Sequence, residues 1–251
     1  RTASPQGGAG LDDRSLQAVV NRAKRSFDEE WGGLKGRMKF PTPVRWRYLL
    51  HAWRKWGDED LATGVRRTLD KMADGGIHDQ LGGGFHRYTV EKTWLIPHFE
   101  KMLYDNAQLA SLYLEAAAAF GEPRYLEVAT TTLDYMLKEM SSAEGGFYAS
   151  YDADSGGEEG TFYVWTPREL EEICGPEDGP MLSLLLGISA RGNFEHGTSI
   201  PTRRISLDEV GKRRGVSADR VREAWERWQP KLYEFRAKRI WPGLDKKLVT
   251  S

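Results

Sequence analysis

One cysteine in 251 residues, Cys174, excludes an internal disulfide and any paired-cysteine redox or zinc motif. It follows "LEEI" near an expected helix end and reads as a packed, inert thiol. No uncharged apolar run approaches the roughly 18 residues of a membrane span. The most apolar stretch, "MLSLLLGI", is far shorter, and the mean hydropathy is −0.59. The opening "RTASPQGGAG" has no apolar core of a secretory signal. A net charge of −1 provides no global field for nucleic acid or an anionic membrane, so neither is expected as a partner. The expected location is cytoplasmic, with the reservation that the chain does not open on Met and a targeting segment could precede it.

The charge is unevenly spread. Ser142 to Thr202 holds 11 acidic and 2 basic residues, and Arg203 to Lys247 holds 14 basic and 7 acidic. In the basic part the acids recur at helical spacing, as in "ADRVREAWERWQPKLYEFRAKR", which is the pattern of a solvated helix face. Nine Trp and ten Tyr supply large areas for a core, and the same rings can line sugar and polyol sites by stacking.

Helical periodicity dominates. It predicts a helix capped by Asp12 or Asp13 and running to about Glu30, then helices over "PVRWRYLLHAWRKWG", "DEDLATGVRRTLDKMADGG", "PHFEKMLYDNAQLASLYLEAAAAFG", "EPRYLEVATTTLDYMLKEMSS", "TPRELEEICG" and "SADRVREAWERWQPKLYEFRAKR", seven or eight in all. Glycine pairs recur after acid-ended helices in "EEWGGL", "ADGGI" and "AEGGF", a degenerate repeat of helical pairs with elaborated loops. "GGFYASYDADSGGEEGTFYVW" reads as one β-hairpin near residues 146–165. The fold class is therefore all-α with a small β insertion, and residues 1–10 read as a linker.

The passage "GGIHDQLGGGFHRYTVEKTWLIPHFEKMLYDNAQLA", Gly75 to Ala110, concentrates glycines, histidines, aromatics and carboxylates. With Pro97 at a helix start, His98, Met102 and Asp105 would share a stripe. His98 and His86 are the proton-transfer candidates, because imidazole titrates nearest neutral pH. The structural alternatives are a His86 that satisfies loop carbonyls and a His98 that caps or packs. Glu100 stands beside them in the same turn. Asp105 and Asn106 amid apolar neighbours need partners, either a ligand or a buried network. Arg87, Tyr88, Trp94 and Tyr104 complete the candidate binding set. Tyr88, Trp94, Tyr104 and Phe147 could stack on sugar rings, and at their spacing they could equally be core. "DADSGGEEG" opens like a calcium loop but has Tyr163 where the twelfth-position Glu is needed. Asp152 and Asp154 are retained as substrate-binding candidates beside the plainer reading of a solvated acidic turn. No metal or cofactor is expected.

These same segments, with "KFPTP" and "GNFE", closely resemble the signature segments of the spermatogenesis-associated protein 20 family, whose members are often called thioredoxin-domain proteins. The resemblance spans nearly the whole chain. It implies an (α/α)6 toroid of the six-hairpin glycosidase type, similar to the N-acylglucosamine 2-epimerase fold, over residues 11–251. It implies too that the chain covers part of that toroid, with the remainder and a thioredoxin-like domain belonging to the intact protein. The implied function is carbohydrate-directed, epimerase- or isomerase-like or glycosidase-like, on a sugar or polyol. The 2-epimerases resembled here use histidines as acid and base. The alternative is a non-catalytic scaffold whose cavity holds a ligand or partner.

Overall fold

The computed structural model describes residues 12–249, so the expected linker at 1–10 lies outside the described residues. Eight α-helices are present among them: α1 (Asp13–Arg25), α2 (Pro43–Trp56), α3 (Glu59–Asp74), α4 (Leu103–Phe120), α5 (Pro123–Tyr135), α6 (Pro167–Leu185), α7 (Leu207–Arg214) and α8 (Ala218–Arg236). The strands are short: β1 (Tyr88–Thr89), β2 (Pro97–His98), β3 (Lys101–Met102), β4 (Phe147–Tyr151), β5 (Asp154–Ser155), β6 (Glu158–Glu159) and β7 (Leu244–Val249). The fold is mostly helical, with three small sheets.

Local chemistry sets the helix limits. Asp58 accepts from the Asp60 amide at the start of α3, where Glu59 and Asp60 also meet the positive end of the helix dipole. Thr166 and Glu169 form a reciprocal capping box on α6. α4 ends on Gly121, whose φ of 66° is left-handed. α6 is two helices joined across a break at Gly175.

Short loops pair α2 with α3, α4 with α5 and α7 with α8, and α2 also lies against α4. Trp46, Leu49 and Leu50 of α2 point into a core shared with Leu61, Val65 and Leu69 of α3 and with Leu109, Leu112 and Tyr113 of α4. A second core joins Leu170, Leu182 and Leu185 of α6 to Val210, Val221 and Leu232. Cys174 belongs to this second core, and burial pushes its thiol up to about 12. Among the described residues no helix is long and apolar enough to cross a membrane.

Two expectations change. The helix expected from Pro97 starts at Leu103 instead. The six residues before it are claimed by remote strands, with Tyr88 opposite His98 and Lys101 opposite Tyr151. Pro97 suits either conformation because its fixed φ is common to both. His98 and Glu100 are therefore not in a helical turn, and the His98–Met102–Asp105 stripe does not exist. The single hairpin at 146–165 is likewise redistributed. Its first arm, β4, is the middle strand between β3 and β7, while the second arm makes one isolated bridge, Trp165 to Ser199. A minimal hairpin survives in the acidic turn, where β5 pairs with β6.

The passage from Gly75 to Met102 folds back over the C-terminal end of α3 and is pinned by a buried charged cluster. Asp79 accepts from Lys101 Nζ at 2.8 Å and from Arg236 Nη1 at 2.7 Å, and all three side chains are essentially buried. Burial alone would raise the Asp79 carboxyl, but Arg236 and Lys101 outweigh it and hold the group well below the usual carboxylate range. The same carboxylate accepts from the Leu81 and Gly82 amides, which shapes the glycine turn. Within that turn Gly84 has φ +74° and lies against the Tyr135 ring, where an added Cβ would fall 2.5 Å from a ring carbon. Removing the carboxylate would strand two buried cations, a loss of about 3 to 5 kcal/mol. Asp79→Asn should therefore lower the melting temperature by roughly 10 °C. Lys101→Met, which leaves Asp79 paired with Arg236, should cost clearly less. Thermal denaturation of the two variants tests this, and equal losses would remove Asp79 from the centre of the cluster.

Candidate functional site

On the outer side of this passage, β1 and β2 bring four polar side chains together. Arg87 Nη1 donates to Glu100 Oε2 at 2.8 Å, while the Arg87 amide donates to the Glu100 carbonyl. His98 Nε2 lies 3.8 Å from the same Glu100 oxygen. Its Nδ1 is 2.8 Å from Glu159 Oε1, which also accepts from the Phe99 amide at 3.2 Å. A carboxylate at Nδ1 fixes the tautomer with its proton there, so in the neutral ring Nε2 carries the free lone pair. His98 and Glu100 are half-buried, and Arg87 and Glu159 keep a larger exposed edge.

Asp105, in the first turn of α4, completes the cluster. Burial pushes its carboxyl up to about 6, with Glu100 adding to the rise and Arg87 opposing it. An acid of that strength exchanges protons near neutral pH. Tyr104 beside it is exposed.

An aromatic shelf adjoins the charges. The Tyr88 ring stacks on His98 at 5.1 Å and on Phe40 at 4.7 Å. Phe40 comes from "KFPTP", held there because Lys39 exchanges two backbone hydrogen bonds with Thr89. The Lys39 ammonium is itself buried against Asp28 and the carbonyls of Gly32 and Leu34. Flat apolar faces beside hydrogen-bonding groups suit a ligand with a hydroxylated edge and a C–H face.

The other candidates are dispersed. His86 turns inward and is 2 % exposed, donating from Nδ1 to the Phe99 carbonyl at 2.8 Å, with its ring edge on Phe99 and Tyr163. Burial pulls it down to about 3, so it is neutral and satisfies a loop carbonyl. Trp94 is fully buried, holds φ at +62°, and donates to the Trp31 carbonyl. It is a core residue and offers no stacking face. Asn106 is the buried clamp that holds both the amide and the carbonyl of Phe85. Asp152 and Asp154 are exposed at the β4–β5 corner, and Asp152 Oδ1 caps the Ala153 amide. The acidic turn reaches the cluster through Glu159, which no local sequence signal distinguishes from its neighbours in that turn. Phe40 was likewise present only as part of a motif.

No family model matches the chain. Over 98% of its length it is 35% identical to spermatogenesis-associated protein 20 of Homo sapiens, and an uncharacterized protein of Caenorhabditis elegans is 30% identical over the same share. The chain spans about a third of the length of the curated relatives it matches, 34% of the human protein and 38% of the nematode one. Among solved structures, a sugar epimerase from a ruminal bacterium superimposes on 93% of this chain and 58% of its own, with a TM-score of 0.49 and 14% identity. A D-mannose isomerase covers 71% of this chain and 48% of its own, with a TM-score of 0.48 and 12% identity. The chain's own helices and their pairing make it a mostly helical protein built from paired helices. The chain belongs to the spermatogenesis-associated protein 20 family.

Asp105 provides a direct test of the electrostatics. Its raised value means the folded state favours the protonated carboxyl, so the group costs stability as pH rises from about 4 to about 6, and the full cost persists above that. Asp105→Asn should therefore stabilise the fold at pH 7.5, by about 1 kcal/mol after solvent screening, and be neutral at pH 3.5. Urea denaturation at the two pH values is the measurement, and an equal effect at both would show that the carboxyl is not held in this way.

Proposed function

We propose that Arg87, His98, Glu100, Asp105 and Glu159 form one wall of a carbohydrate-binding cavity, and that His98 and Asp105 are its proton-transfer pair. The observation that carries this reading is the convergence of a tautomer-fixed imidazole, a carboxyl titrating near neutrality and an exposed cation–carboxylate pair beside the Phe40–Tyr88 shelf. Moving a proton at a carbon next to a sugar carbonyl requires a base and an acid within reach of one atom, each with a value near the working pH. Arg87 and Tyr104 can hold a substrate hydroxyl or carbonyl oxygen. Two carboxyls could also serve glycoside hydrolysis, where their separation decides the outcome. Epimerase- or isomerase-like chemistry is the better-supported reading because an oriented histidine is central to the cluster. The chain then forms part of an (α/α)6 toroid whose remaining hairpins would close the cavity.

The critical variant is His98→Ala, tested in the intact protein. It should abolish turnover of a reducing sugar, or weaken its binding by at least tenfold, while changing the melting temperature little, since the ring is half-buried. Isomer formation is read by chromatography and binding by calorimetry. Lost binding without turnover in the parent protein would assign the non-catalytic scaffold. A lower melting temperature with unchanged binding would make His98 a structural clamp.

A further inference from the structure

A separate cavity among the described residues lies elsewhere. It has a volume of about 730 Å³ and opens between α5 and α8, floored by the turn at residues 78–83 and closed at one end by residues 203–207. Neither His98 nor Asp105 lines it. Its size falls within the roughly 300 to 1,000 Å³ of small-molecule sites.

Its wall contains polar groups the fold leaves unsatisfied. His78 is 8 % exposed, and both of its ring nitrogens lack a hydrogen-bond partner among the described residues. Burial pulls this imidazole down to about 4, so it is neutral and offers one donor and one acceptor. The Tyr135 hydroxyl is also buried without a partner. Leaving such groups bare costs about 1 to 3 kcal/mol each.

The cations of the wall are mostly committed. Arg124 pairs with Asp74, Arg204 donates to the Thr93 carbonyl, and Lys138 lies over the Tyr233 ring. Arg203 differs. Its guanidinium stacks 4.9 Å from the Trp225 ring centre and makes no side-chain hydrogen bond or ion pair among the described residues. Its backbone amide is tied to the Asp74 carbonyl, which fixes where the side chain starts. A guanidinium stacked on an indole keeps its N–H edge free, and that fork matches the paired oxygens of a carboxylate or phosphate. Glu127, whose charge acts on Arg203, and Asp134 and Glu234 make the wall acidic, so Arg203 has room for one anionic group and the remainder of the ligand must be neutral.

We infer that this cavity is a second ligand site, for a small molecule whose one carboxylate or phosphate seats on Arg203 and whose uncharged polar body lies against the turn that carries His78. Calorimetric titration with inorganic phosphate and, separately, with acetate at constant ionic strength tests it. At least one probe should bind saturably, and the stronger of the two identifies the ligand's anionic group. Arg203→Gln should weaken binding at least tenfold. Asp134→Trp, which crowds the mouth from an exposed position without removing a cation, should do the same and decides the matter if Arg203→Gln fails to fold. Arg168→Gln, at an exposed cation of α6 outside the cavity, should leave binding unchanged. No saturable binding of either probe, or undiminished binding in Arg203→Gln or Asp134→Trp, would overturn the inference.

Discussion

The Asp79 carboxylate is the constraint on which the arrangement around Gly75–Met102 depends. It joins three parts of the chain far apart in sequence: the glycine turn it sits in, Lys101 just before α4, and Arg236 at the end of α8. Each charge is buried, so the triad persists because both cations share the Asp79 carboxylate, and the penalty falls on any arrangement that separates them. The consequence is positional. With Lys101 held inward, the neighbouring Glu100 carries its carboxylate to Arg87 on the outer side. The polar cluster is a by-product of burying its neighbour.

The same logic explains which parts of this structure could be read from the sequence. Helices α2 and α3 follow from apolar spacing and local caps, information contained within a dozen residues. The strand character of 97–102 depends on partners at 88 and 151, and no local signal distinguishes it from a helical first turn, since Pro97 is compatible with both. Within the cluster, Arg87, His98, Glu100 and Asp105 stood out because charged residues in a glycine-rich passage are chemically conspicuous. Glu159 did not, since in an acidic turn one carboxylate looks like the next, and its role is created by the fold bringing β6 to His98. Trp94 misled for the opposite reason. An aromatic in such a passage suggests stacking on a ligand, but its left-handed backbone turns the ring into the core.

His86 and His98 show how a difference in burial separates two otherwise similar residues. Both lie in the same passage and both hydrogen-bond through Nδ1. One bonds a backbone carbonyl in an apolar pocket and is pulled down to about 3, leaving a neutral packing residue. The other bonds an exposed carboxylate and keeps Nε2 toward an open face lined by Glu100 and Arg87.

The Gly75–Met102 passage therefore has two polar faces separated by one layer of buried charge. Its outer face presents the His98 cluster, while the turn at 78–83 forms the floor of the α5–α8 cavity. Asp79 is common to both, since it shapes that turn through the Leu81 and Gly82 amides and anchors Lys101 beneath the cluster.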